Sequence, residues 1–256
     1  MALADDIFAL RDRALADLNA VLDYSSHTKI AWGIIRQSVL EGSKFAIKGT
    51  SIRLDPPIGD GSSPVLIERR TGTETTEATL ADKARDYMNI QLPEATFQQF
   101  ISIFEAFFGD FLRLWLLAHP AILSKKQIDF KTILEAPDKD AITQLMVDRE
   151  LNDLTHGPPK AWFKYLDKTF EYLDTLKLGV PAKEEIQRFA EAKASRDVLV
   201  HNRGVANKMY ESKAGTLARY RTGERIEIPG DYHKATEELI RKMVADISNA
   251  AIQKVS

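Results

Sequence analysis

The stretch from Phe97 to Leu123 is the most apolar in the chain, yet Glu105, Asp110 and Arg113 interrupt it. Those charges make a membrane span costly, so the stretch is expected to be a helix buried in a protein core. Phe104, Phe107, Phe108, Phe111 and Trp115 recur at three- and four-residue steps and share one face of that helix. Such a stripe reads as core or dimer surface in preference to a base-stacking platform. So wide an aromatic face needs partners, and the chain offers them as further amphipathic runs. Ile7, Leu10, Ala14, Leu18, Val21 and Leu22 define a first helix. Ser25 and Ser26 are expected to end it, and Ala31, Ile34, Ile35 and Val39 to form a second. Leu80–Asn89 reads as helical, Pro93 and Glu94 suit the first turn of the long helix, and His119-Pro120 should stop it. Asp138 suits an N-cap for a helix over Ala141–Leu151. Pro158-Pro159 open a helix carrying Trp162, Tyr165, Leu166, Phe170 and Leu173, and Gly179 stops it. Pro181 opens the next helix. Leu239, Ile240, Met243, Val244, Ile247 and Ala251 mark the last.

Two regions break this texture. Ser51–Leu54 and Val65–Arg69 read as short strands, with Pro56, Pro57, Gly59, Gly61, Ser62, Ser63 and Pro64 crowded between them as turn residues. Leu217–Ile228 is mixed, with a short strand expected at Arg225–Ile228. The expected fold is therefore mainly α, a helical bundle with a small β-hairpin insertion near residues 50–70. As one helical domain over 1–256, it divides into N-terminal helices (1–48), the insertion (49–79) and a helical core (80–256).

Several function classes are set aside by composition. The chain has no cysteine, which excludes disulfides and thiolate metal sites and suits a cytoplasmic setting. Asp5 and Asp6 interrupt the only candidate signal-peptide region. His27, His119, His156 and His233 show no metal-ligand spacing, and Gly59–Ser63 lacks the phosphate-loop lysine. Asp138-Lys139-Asp140 is explained by a capped helix start. No cofactor and no metal are expected.

The chemistry concentrates in Arg196-Asp197-Val198-Leu199-Val200-His201-Asn202-Arg203-Gly204. Extending the apolar stripe from Ile186 and Phe189 puts Lys193, Arg196, Asp197, Val200 and Gly204 at inward positions. Charge stands where packing residues belong, so either a charged surface or a ligand should lie opposite. Asp197 and His201, four apart, share a face, and the carboxylate could fix the imidazole tautomer. Arg196 and His201, five apart, flank one another at roughly 140° around the helix. Between Lys193 and Arg225 lie eight cations (Lys193, Arg196, Arg203, Lys208, Lys213, Arg219, Arg221 and Arg225) against three anions, although the whole chain carries a net charge of -2. A basic region of this kind suits a phosphate backbone, or is a solvated face balanced elsewhere.

Arg196, four residues, His201-Asn202, then Gly204 resembles the signature of the HEPN superfamily. Gly223–Ile228, leading into a last helix, resembles the segment that trails this signature in some members. The resemblance covers roughly the second half of the chain. It implies a helical-bundle homodimer and, for many members, a metal-independent endoribonuclease acting as a toxin or antiphage-defence effector. Other members have lost catalysis and act as scaffolds. RNA supplies its own nucleophile, the 2′-hydroxyl, so an imidazole for proton transfer and a guanidinium for the phosphate suffice to leave a 2′,3′-cyclic phosphate. On this reading the catalytic candidates are Arg196 (phosphate), His201 (acid/base), Asp197 (orienting) and Asn202 (accessory). Lys193, Arg203 and Lys208 are candidate RNA contacts. The expected partners are RNA, tRNA among the candidates, a second copy, and an antitoxin or regulatory protein, with no membrane. The competing readings are a structural ion cluster with His201 capping the helix end, Asn202 as a plain helix-terminal residue and Gly204 as a left-handed cap. At the level of function, the alternative is a non-catalytic dimer that binds protein or nucleic acid.

Overall fold

The first helix does not end at Ser25-Ser26. In the computed structural model, which describes residues 2–41, 50–54, 66–70, 77–170 and 180–255, α1 runs unbroken over Ala2–Leu40. Serine only mildly disfavours a helix interior, and no proline intervenes. The remaining elements are β1 (Thr50–Leu54), β2 (Leu66–Arg70), α2 (Glu77–Asp86), α3 (Leu92–Ala118), α4 (Phe130–Glu135), α5 (Lys139–Thr155), α6 (Pro159–Phe170), α7 (Val180–His201), α8 (Lys208–Ala214) and α9 (Gly230–Val255). The chain is mainly helical, as expected. The Pro/Gly-rich residues 55–65, the polar residues 71–76 and the Gly179 stop lie outside the described residues.

The local signals act where the sequence puts them. Glu94 sits in the first turn of α3, where a carboxylate is favoured by the helix dipole. α3 ends at Ala118, just before His119-Pro120, and a 3-10 turn over Pro120–Lys125 comes next. The Asp138 side chain accepts a hydrogen bond from the Ala141 amide at 2.7 Å and so caps α5. α6 begins at Pro159.

Two compact units emerge, one of Met1–Tyr24 with Pro93–Ser256 and the other of Ser25–Leu92, so the boundaries fall at 24/25 and 92/93. In the smaller unit, Val39, Leu80 and Ala81 are buried together with Trp32 and Ile35 against them. The Trp32 and Tyr87 rings lie 4.8 Å apart. A π turn over Tyr87–Gln91 succeeds α2, and the Leu92 amide bonds back to the Tyr87 carbonyl. β1 and β2 pair antiparallel, with Thr50 opposite Arg70 and Leu54 opposite Leu66.

The larger unit is organised on α3. Phe97, Phe100, Phe104, Phe108 and Phe111 are fully buried, so the aromatic stripe is core. Phe104 meets Phe189 of α7 edge-on at 4.6 Å, Phe108 stacks on Trp162 of α6 at 5.0 Å, and Trp115 lies 5.0 Å from Phe170. Ile7, Leu10, Ala14 and Leu18 of α1 join the same core, as do Leu239, Ile240, Val244 and Ile247 of α9. Replacing Phe104 with alanine should cost about 3–5 kcal/mol, because the rings around it cannot collapse into the space. Urea unfolding by circular dichroism measures this, and a loss below about 1 kcal/mol would show that α3 is not the organising helix.

Candidate functional site

α7 is central, and its burial follows small residues. Phe189, Ala190, Ala192, Ala194, Ser195 and Val198 face the interior, whereas Val200, expected inward, is 48% exposed. The inward face is therefore out of phase with the stripe extended from Ile186, and the charged positions lie at its margin. The helix ends by left-handed capping. Arg203 and Gly204 take φ of 53° and 75°, and the Gly204 amide reaches back to the Val198 carbonyl at 3.1 Å. An isolated bridge, Val205 with Arg225, stands in place of the strand expected over Arg225–Ile228. The chain then turns at Asn207, whose side-chain oxygen accepts the Tyr210 amide at 2.9 Å and caps α8. The short α8 thus packs beside the last turns of α7.

Opposite the charged margin stands a carboxylate of α3. Lys193 Nζ donates to Glu105 Oε1 at 2.5 Å, and Arg196 donates to Glu105 Oε2 at 3.1 Å and to Asp197 at 3.2 Å. Lys213 of α8 donates to the other Asp197 oxygen at 3.0 Å. Burial would push the Asp197 carboxyl up, but the ammonium groups of Lys213 and Lys193 with the Arg196 guanidinium override it and hold it below its ordinary value. Lys193 and Arg196 retain only 15% and 21% of their side-chain exposure, while Lys213 retains 42%. Lys193, a candidate RNA contact, is thus committed to Glu105. Arg203 and Lys208 are exposed.

His201 is the last residue of α7 and is exposed. With Asp197, Asn202, Asn207, Met209 and Lys213 it lines an open pocket of about 320 Å³. Among the described residues its imidazole has no hydrogen-bond partner, so the Asp197 carboxylate stabilises cations and does not hold the ring. Asn202 donates to the Val205 carbonyl and so secures the turn after the helix. Asp197, His201 and Asn202 are thus brought to one pocket, and Arg196 is directed away from it, toward α3.

Sequence reasoning missed a second polar centre beneath this pocket. Glu191 is buried, and its Oε1 accepts hydrogen bonds from Ser195 (2.8 Å), Tyr210 (2.8 Å) and Arg219 (3.1 Å). Its Oε2 accepts from Tyr232 of α9 at 2.5 Å. The Arg219 guanidinium also lies over the Tyr232 ring, 3.3 Å from its centroid. Arg219 therefore belongs to an internal ion pair and not to the basic surface counted from sequence. Burial, reinforced by Glu191, pushes the Tyr210 hydroxyl up to about 12 and Tyr232 well above its ordinary value. The available signal was Glu191 standing amid Ala190, Ala192, Ala194 and Ser195, a carboxylate in a run small enough to be buried.

Among the described residues no group of three or more His, Asp or Glu side chains converges as a metal site requires, and no helix is long and apolar enough to cross a membrane. Comparison with family models, with curated proteins and with solved structures finds no match to this chain.

Glu191→Gln should destabilise the fold by about 3–5 kcal/mol, because it leaves the Arg219 charge unpaired in the interior. Urea unfolding reads this, and a neutral effect would remove Glu191 from the framework. The tyrosines add a pH dependence. Their folded pKa values lie above the unfolded value of about 10, so their contribution is complete below that pH. The Tyr210 part is lost as pH rises through about 12. The melting temperature should fall across that window, and less steeply in Tyr210→Phe.

Proposed function

We propose that the chain is a metal-independent endoribonuclease of HEPN type, which cleaves RNA by 2′-hydroxyl attack and leaves a 2′,3′-cyclic phosphate. The observation that carries this reading is the free, solvent-facing imidazole of His201 at the end of the motif helix, in an open pocket beside Asp197, Asn202 and Lys213. An uncommitted imidazole can take the 2′-hydroxyl proton on one nitrogen and return one to the 5′-oxygen. Asp197 organises the cations around it. Asn202 is accessory through the turn that presents His201. Arg196 reaches a phosphate only by exchanging its contact with Glu105, or by acting across a twofold axis on the pocket of a second copy. Arg203 and Lys208 extend a cationic rim for the strand. A toxin or antiphage role and cytoplasmic action rest on the same resemblance.

A second reading is favoured by one specific observation. The Arg196 guanidinium is already shared between Glu105 and Asp197, as expected where the arginine is structural and the bundle serves as a non-catalytic binding scaffold. The two readings separate on incubation with total RNA and tRNA, with end-group analysis of the products. The nuclease reading expects cyclic phosphate ends, indifference to chelator, and a roughly 10²–10⁴-fold loss in His201→Ala with the fold intact. RNA left whole by the wild type, or cut equally by the variant, sinks it.

A further inference from the structure

The pocket beside His201 holds donors that no acceptor among the described residues uses. The Lys213 ammonium has three protons and, among the described residues, one partner, Asp197 at 3.0 Å. Asn207 spends its side-chain oxygen on the Tyr210 amide, and among the described residues its Nδ2 has no acceptor. His201 is unpartnered as well. These groups line one concavity together. Of the three cations around Asp197, only Lys213 is substantially open to solvent, since Lys193 and Arg196 turn to Glu105. The Asp197 carboxylate is over-compensated by its neighbours and does not repel an incoming anion as an isolated one would. Met209, 65% exposed, adds an apolar wall on which a ribose or base can rest.

We infer that Lys213 and Asn207 form a phosphodiester-binding site for single-stranded nucleic acid within one chain, beside His201, in the place the motif alone would give to Arg196. The choice of a phosphodiester over another oxyanion rests on the nuclease reading. A compact ammonium and an amide donor contact phosphate oxygens without reading bases, so the site selects a backbone and not a sequence.

The test uses a fluorescent single-stranded oligodeoxynucleotide, which lacks the 2′-hydroxyl and survives in the pocket. Binding to the full chain is monitored by anisotropy across a salt series. Lys213→Gln should weaken binding about tenfold, the size of one charge-assisted hydrogen bond. It should also flatten the dependence of log affinity on log salt by about 0.7, one phosphate contact on a single strand. Asn207→Asp keeps the helix-capping oxygen but replaces the donor with a charge, and should weaken binding at least as much. Lys213→Arg should retain the salt slope, and Lys160→Gln, an exposed lysine of α6, should change nothing. The inference is overturned if the wild type does not bind, or if Lys213→Gln leaves affinity and slope intact while Arg196→Gln reduces both. RNA cleavage measured in parallel keeps the two ideas apart: Lys213-dependent binding without cleavage supports the site and removes the nuclease reading.

Discussion

A carboxylate enclosed in protein must be given donors, and Glu191 draws them from four places in the chain. Ser195 lies one turn along its own helix, Tyr210 on α8, Arg219 in the segment after α8, and Tyr232 at the start of α9. Buried charge is tolerated only when its lone pairs are met, so the positions of these segments are tied to one another. Tyr210 is the link to the surface, since it binds Glu191 and also lines the pocket containing His201. The shape of the candidate site therefore depends on an interaction that takes no part in its chemistry.

Above that anchor, two more carboxylates divide the cations of α7 and α8. Glu105 draws Lys193 and Arg196 toward α3, and Asp197 spans Arg196 and Lys213. The basic count of the region falls once these pairs, and Arg219, are subtracted. His201, Arg203, Lys208 and the outer side of Lys213 stay accessible. This sorting is electrostatic: partly buried cations find the nearest carboxylate, while those at the rim remain hydrated and available to a ligand. It also explains how Arg196 can face away from the histidine five residues later.

Much of the fold was legible because its signals are local. The aromatic steps of α3, the Asp138 cap, Glu94 in the first turn of α3 and Pro159 at a helix start depend on residues within a turn or two. The expected break at Ser25-Ser26 treats weak helix formers as breakers, which they are not. The motif was visible as a charged run, and Gly204 as the left-handed residue ending the helix. The inward phase of α7 was not visible, because a run of alanines lets a helix be buried on several sides and carries little directional signal. Glu191 carries no motif of its own, since three of its donors, Tyr210, Arg219 and Tyr232, lie outside its helix.

The sequence by itself determined the helical class, several helix ends and the clustering of Arg196, Asp197, His201 and Asn202 at one terminus, since periodicity, capping and proline act over short separations. Only the tertiary structure decided which charges are spent inside and which face the pocket. Glu105 is 91 residues from Arg196, and Tyr232 is 41 from Glu191. Pairings over such distances arise from how α3, α7, α8 and α9 pack, and no local pattern encodes them.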